Sequence, residues 1–262
     1  MGAEILRPCF LFYRGDTMDN IMAWFSDLKA DFILNFVEEN RWKFLTTGLK
    51  NTLIITFFSL ILGVILGVIV AIVRSSYDKT YTDMRKGLKK FLFSLVNAIC
   101  KLYLTVIRGT PVVVQLMIMY YIIFSSSRNS VLVAIIAFGI NSGAYVAEIV
   151  RSGIMSIDEG QFEAGRSLGF DYKSTMWHII IPQAFKNILP ALANEFIVLL
   201  KETSVAGYVT IRDLTMGGNI IRAATYSPFM PLIAVALIYL VMVIFFTWLV
   251  GKLERRLRRS ER

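Results

Sequence analysis

Arg108, Glu148, Glu195, Lys201 and Glu202 carry full charges within or at the ends of long apolar runs, and Gln115, Tyr120, Asn194, Thr203 and Ser204 add neutral hydrogen-bonding groups to the same runs. A charge inside a bilayer costs about 2.5 kcal/mol or more unless it is paired or faces water, so such residues either pair across helices or line a polar path. Both outcomes are open here. Arg108 and Glu148 fit a salt bridge between spans or side chains reaching toward the inner interface. Lys201 to Ser204 fit an interhelical or intersubunit contact, and Gln115, Tyr120 and Asn194 fit packing. The competing reading makes these residues the lining of a route for a polar solute. His178 is the only histidine, and Cys9 and Cys100 lie far apart, so neither a metal site nor a disulfide framework is expected. No G-x-x-x-x-G-K-[ST] loop is present to cradle the phosphates of a nucleotide.

The elements that position these residues are read from hydropathy. With 262 residues, 56% hydrophobic, 18% charged and a mean hydropathy of +0.60, the chain is an integral membrane protein with room for several spans of about 20 residues each. Its net charge of +9 flanks apolar runs instead of covering one soluble face, which fits membrane orientation and contact with lipid and argues against nucleic acid as a partner. Five spans are expected: Asn51 to Val73, one crossing within Phe91 to Phe124, Val131 to Val150, about Ile188 to Val209, and Phe229 to Val250. In the first, Gly63 and Gly67 stand four apart, where another helix can approach closely. Lys101 and Arg108 divide the second, so its first part is expected along the inner interface and its crossing from Pro111 onward. Thr110-Pro111 fits either a cap with a first-turn proline or a kink. Pro190 either bends the fourth span or is a packing feature.

Lysine and arginine set the orientation. Lys79, Arg85, Lys86, Lys89 and Lys90 follow the first span, Arg151 ends the third, and Arg255, Arg256, Arg258 and Arg259 fill the tail, whereas the other connections hold only Arg128, Arg212 and Arg222. The positive-inside rule then places the N-terminus outside and the C-terminus inside. Ahead of the first span, Leu28, Phe32 and Phe36 continue a three-and-four spacing begun by Ile21 and Phe25, which predicts an amphipathic helix on the membrane surface, with Trp42 in the interfacial belt. The first residues lack the pattern of a secretory signal, and Met18, just before Asp19 and Asn20, is a second candidate start.

One charged island falls on the predicted inner side. Residues 160–204 open with a short helix, in which Glu163 is expected in the first turn and Gly169 as a left-handed terminator, followed by an extended stretch. Ala164, Gly165 and Leu168 give it a small face with one apolar knob, suited to a groove on another protein. Glu163-Ala164, Gly169, and after nine residues Ile179 and Ile181-Pro182 resemble the EAA loop of permease subunits of binding-protein-dependent ABC importers. The sequence departs from that pattern at Gly165, where Ala is usual, and at Ile181, where Leu is usual. Arg108-Gly109-Thr110-Pro111, Gln115-Leu116, Tyr120-Tyr121, Ser142-Gly143-Ala144-Tyr145 with Glu148 and Arg151, Pro182-Gln183-Ala184, Pro190, Asn194 and Leu200 to Ser204 are similar to the polar amino acid branch of that family.

The resemblance implies an all-α type I ABC importer permease fold with a cytoplasmic coupling helix, in a bacterial plasma (inner) membrane. Its partners would be a cytosolic ABC ATPase dimer that binds ATP and Mg, an extracytoplasmic amino acid binding protein, and a second permease subunit, identical or similar. This chain would hold no cofactor of its own. Glu163, Ala164, Gly165, Leu168 and Gly169 would dock the ATPase, and Arg108, Gln115, Tyr120, Glu148, Asn194, Lys201, Thr203 and Ser204 would line the substrate path. The corresponding division is an extracytoplasmic segment 1–47, a permease domain 48–251 containing the EAA-like loop 151–187, and a basic tail 252–262. A secondary transporter or channel is the alternative, and a single histidine without a metal-ligand cluster leaves little for a membrane enzyme.

Overall fold

The computed structural model describes residues 26–81, 84 and 87–259. Readings on residues 1–25, on Arg85 and Lys86, on residues 260–262 and on the side chains of Arg258 and Arg259 lie outside it. All regular structure among the described residues is helical.

Helix α1 (Trp42–Thr80) has 39 residues. At 1.5 Å per residue it is about 58 Å long, well beyond the ~30 Å hydrocarbon thickness. The expected end at Val73 is therefore corrected for the helix itself: the apolar run stops there, whereas Arg74, Asp78 and Lys79 continue the helix to Thr80. Its buried side is made of Ser59, Gly63, Gly67 and Ala71, and its exposed side of Phe57, Phe58, Ile61, Ile65, Ile69 and Ile72. Small residues inward and large apolar residues outward is the arrangement a helix adopts when lipid, not water, surrounds it.

Helix α2 (Leu88–Gly109) runs back along the far end of α1, with Arg74 donating to Asn97 Oδ1 at 3.0 Å and Tyr77 meeting Phe93 at 5.5 Å between ring centroids. Extended backbone at Thr110 and Pro111 separates it from α3 (Val112–Ile118), which continues as a π turn over Met119–Ile123. Pro111 thus precedes a new helix and does not bend a continuous one. The sequence expectation placed the crossing from Pro111 onward. It is corrected in that Leu88–Gly109 is itself long and apolar enough to span, and Val112–Ile123 is shorter.

Asn129 caps α4 (Ser130–Met155), its Oδ1 accepting from Leu132 N at 3.1 Å. This helix lies parallel to α1: Ile55 clusters with Ala134 and Phe138, Ser59 Oγ donates to the Ile135 carbonyl at 3.1 Å, and Ala71 clusters with Val146 and Val150. A β-carbon on Gly67 would stand 2.6 Å from Val146 Cβ, so the Gly63/Gly67 spacing marks the contact that the sequence predicted.

After α5 (Glu159–Ser167), Asp171 caps α6 (Tyr172–Thr175), and a π turn (Met176–Ile180) leads into α7 (Ile181–Glu202). The extended stretch and the start near Ile188 are both corrected, since the chain is helical from Tyr172 onward. Pro182 lacks an N–H and its ring would crowd the carbonyl four residues back, which accounts for a widened turn at that point. Asp171 Oδ1 accepts from Ser174 N at 2.8 Å, and its hydrogen bonds to Ser174 hold the carboxyl below the ordinary aspartate range. The cap is accordingly present above that lowered pKa and is lost as pH falls through it.

Helix α7 runs against α4 in the opposite sense, from Asn187 donating to Ser156 Oγ (2.9 Å) to Ser142 donating to Glu195 Oε1 (2.9 Å). It ends at Glu202 and tightens into a 3-10 segment over Thr203–Val209, which corrects a span drawn to Val209. The connection between the fourth and fifth expected spans contains a packed helix, α8 (Leu214–Thr225), which holds Gly217 and Gly218. Asp213 caps it, and Gly217 and Gly218 let it approach Phe44 and Val235. Helix α9 (Phe229–Arg259) opposes α7, with Phe246 edge-on to Phe196 at 4.9 Å.

Four helices among the described residues, α1, α2, α4 and α9, are long and apolar enough to cross a membrane. Helix α7 is long enough but carries Lys186, Glu195, Lys201 and Glu202. The segment before α1 is helical from Ser26, mostly exposed, and its end docks on the rest of the protein. Asn35 and Phe36 are buried, with Thr225 donating to Asn35 Oδ1 at 2.8 Å and Phe36 in one cluster with Leu214 and Val235.

Candidate functional site

Two features of α4 and its continuation bring chemistry together. One is a polar face on α4. Asn141, Tyr145 and Glu148 recur at steps of four and three on the side opposite Gly143, Val146 and Val150, and the end of α2 and start of α3 lie against them. Arg108 Nη1 is 3.8 Å from Glu148 Oε2, and its guanidinium carbon is 5.9 Å from the Tyr145 ring centroid. Arg151 Nη2 is 2.8 Å from Glu148 Oε1. One carboxylate therefore stands between two guanidiniums. An open cleft of about 430 Å³ is lined by Leu104, Thr105, Arg108, Gly109 and Tyr145.

Gln115 serves the break that shapes this cleft. Its Nε2 donates to the Ile107 carbonyl (2.7 Å), the Thr110 carbonyl (3.0 Å) and Thr110 Oγ1 (2.8 Å), and its Oε1 accepts from Asn141 Nδ2 (2.9 Å). One side chain thus satisfies carbonyls that the broken helix leaves open and ties the break to α4. Tyr120 packs half-buried beside the cluster of Leu116 and Phe138. Asn194 is exposed on α7, next to buried Glu195. Lys201 is exposed and Ser204 half-buried, but Thr203 is fully buried, its hydroxyl donating to the Leu200 carbonyl at 2.8 Å. The structure joins Arg108 and Glu148 and sets Gln115 behind them. Sequence reasoning left Asn141, Tyr145 and Arg151 out of the set. Their signal was the helical spacing of polar residues across α4 from its small ones.

The other feature is α5. Asp158 caps it, with Oδ1 accepting from Gly160 N at 2.7 Å, so Glu159 is in the first turn and Glu163 in the second, one turn later than the sequence reading placed it. The Asp158-x-x-Gln161 pattern was the available signal. Gly169 takes the left-handed conformation (φ +80°), with its N–H on the Arg166 carbonyl (2.9 Å) and that of Phe170 on the Gly165 carbonyl (3.0 Å), a Schellman end. Glu163, Ala164 and Gly169 are exposed, and Leu168 is 72% exposed. Gly165, however, faces inward: a β-carbon there would lie 2.7 Å from Thr175 Cγ2 and Oγ1. Its small size is a packing demand of the loop and adds nothing to the outer face. Gly165 to Gly169 also has the G-x-S-x-G spacing of a hydrolase nucleophile turn. Here Ser167 ends a helix and its hydroxyl donates to the Glu163 carbonyl at 3.0 Å, which is not that geometry.

Replacing Gly169 with valine is expected to destabilise the loop by about 1–2 kcal/mol, because a β-branched residue is strained at positive φ even where space is open. Proteolysis of the 155–175 segment should quicken, and an unchanged cleavage rate would contradict the strain argument.

Residues 88–259 match the model of the binding-protein-dependent transport system inner membrane component family. The chain belongs to that family. Among the relatives of this permease, the arginine transport system permease protein ArtQ of Bacillus subtilis is 37% identical over 83% of this chain and 94% of its own length. The L-cystine transport system permease protein TcyB of the same organism is 33% identical over 86% and 91%. The glutamine transport system permease protein GlnP of Escherichia coli is 35% identical over 63% and 77%. A solved amino acid ABC transporter with histidines matches at 39% identity and a TM-score of 0.73, covering 84% of this permease and 98% of that chain. The inward-facing MetNI methionine ABC transporter, 18% identical with a TM-score of 0.69 over 84% and 98%, shares the fold. This permease is thus a multi-pass component of a transport system whose ATPase and binding protein are other chains.

Proposed function

We propose that this permease is the membrane subunit of an ATP-driven importer of a polar amino acid and works by alternating access. The observation that carries the proposal is continuity: α4 bears the Arg108–Glu148 cleft on one face and runs within a few residues into the exposed, doubly capped helix α5. A displacement imposed on α5 is therefore handed across a three-residue link to α4, which carries the charged cleft. An amino acid carries an ammonium and a carboxylate, and a cleft with both signs offers a partner to each. Relatives that transport arginine, cystine and glutamine support the polar amino acid class.

Five crossings are proposed: α1, α2 with α3, α4, α7 and α9. The N-terminal segment 1–47 lies outside and the tail 252–262 inside the bacterial inner membrane. Helix α5, with Glu163, Ala164, Leu168 and the turn at Gly169, docks on a cytosolic ATPase dimer that binds ATP and Mg. A binding protein delivers substrate outside, and a second permease subunit completes the pathway. Arg108, Glu148 and Tyr145 contact the solute. Asn194, Lys201 and Ser204 border the route farther along α7, Gln115 and Tyr120 shape it, and Thr203 holds the end of α7. ATP binding closes the ATPases and carries α5 so that the cleft opens outward, and hydrolysis returns it.

The test is reconstitution in proteoliposomes with the neighbouring ATPase and binding protein, followed by uptake of labelled arginine, cystine, glutamine and glutamate. Uptake of at least one that needs both ATP and the binding protein is expected. Uptake driven by an ion gradient without the ATPase would replace this reading with a secondary transporter.

A further inference from the structure

The cytoplasmic end of α1 reaches beyond the membrane and meets the docking helix. Lys79 lies in the last turn of α1, and its Nζ stands 3.8 Å from the centroid of the Phe162 ring in α5. Phe162 is nearly enclosed, so this ring is a fixed part of α5 and not a flexible surface group. The opposite side of the α1 end is occupied by α2: Tyr77 meets Phe93 at 5.5 Å between ring centroids, Lys90 sits over Tyr81 at 4.3 Å, and Arg74 donates to Asn97. Residues 74, 77 and 81 share one helical face, and Lys79 points away from it. α5 is also joined to α7, where Gln183 donates to Gln161 Oε1 at 3.2 Å. Adjacent residues 161 and 162 therefore tie the docking helix to two different membrane helices.

We propose that Lys79 and Phe162 form a latch that makes α1 follow α5, with Lys79 acting as a positioning residue for the coupling of ATP hydrolysis to transport. This rests on the reading of α5 as the ATPase-docking element. A cation over an aromatic face is attracted by the ring quadrupole, resists being pulled off, and is sensitive to loss of either the charge or the ring. Because α1 packs along α4 from Ile55 to Ala71, a latch at its end transmits displacement to both parallel helices at once.

The test uses the whole transporter in proteoliposomes, with ATP hydrolysed and substrate taken up measured on the same sample. K79M keeps an apolar stem and removes the charge, and F162L keeps volume and removes the ring. Each is expected to raise the ATP consumed per substrate about threefold. K79R and F162Y should stay at the wild-type ratio, and K79M combined with F162L should be no worse than either alone. An unchanged ratio in K79M and F162L overturns the latch, as does an additive double variant. Failure of K79M to assemble, with K79R normal, would make the pair structural and also overturn it. Failure of the function reading itself looks different: the wild-type complex then shows no ATP-dependent uptake at all.

Discussion

Glu148→Gln is expected to lower ATP-driven uptake about tenfold while the assembled transporter persists. The carboxylate sits 2.8 Å from Arg151 Nη2 and 3.8 Å from Arg108 Nη1, so the amide would leave two guanidiniums facing one neutral group. Removing one partner of a buried ion pair costs about 3–5 kcal/mol, and an exposed pair is worth under about 1. With the Glu148 side chain 35% exposed, a loss of about 1–2 kcal/mol is reasonable, and 1.36 kcal/mol is a tenfold change. The direction of failure separates two roles. If Glu148 only holds Arg108, the double variant with Arg108→Gln should recover part of the uptake, since Arg151 alone is then left without its carboxylate. If both touch the solute, the double variant should be as poor as the worse single one, and the substrate concentration for half-maximal uptake should rise. Initial rates of labelled uptake across substrate concentration decide between them, and wild-type rates in Glu148→Gln would remove the cleft from the pathway.

Gly67→Leu should prevent stable folding. The β-carbon alone would lie 2.6 Å from Val146 Cβ and Cγ1 and 2.8 Å from Ala147 N, and backbone cannot yield as a side-chain tip can. Overpacking costs about 1–3 kcal/mol when neighbours can relax, and here relief requires α1 and α4 to separate over a shared length. Gly63→Ala, whose new carbon would meet Ser142 at 3.0 Å, should be milder, and Gly251→Ala, with nothing within 4 Å, should be neutral. Thermal unfolding in detergent, followed by fluorescence, should rank them in that order. A Gly67→Leu protein that melts with the wild type would disprove the close approach.

Much of the fold was legible because lipid imposes simple rules. Gly63 and Gly67 announced a close contact and Gly169 a helix end, and both are where the sequence put them, whereas at Thr110-Pro111 the sequence offered a Thr cap or a kink and the structure has Pro111 itself preceding a new helix. Helix ends outside the membrane were less legible, since polar residues such as Arg74 and Lys79 are at home both in a helix and in a loop. α1 therefore runs on to Thr80, and α7 is entered from Tyr172 through a π turn. At the site, charge identified Arg108 and Glu148, but their meeting depends on how α2 crosses α4, which no local pattern encodes. Gly165 was misplaced for a related reason: smallness fits an outer docking face and an inner contact equally, and only the position of Thr175 distinguishes them.

The two sides of α4 hold separate kinds of information. Positions 139, 143, 146 and 150 accept only what the neighbouring helix leaves room for, whereas 141, 145 and 148 are interleaved with them yet answer to the cleft. If the cleft contacts the solute as proposed, a lineage would change which solute is admitted by altering one register of this helix while the other keeps the assembly intact. Closely similar scaffolds that carry chemically different cargo are the expected product of such an arrangement.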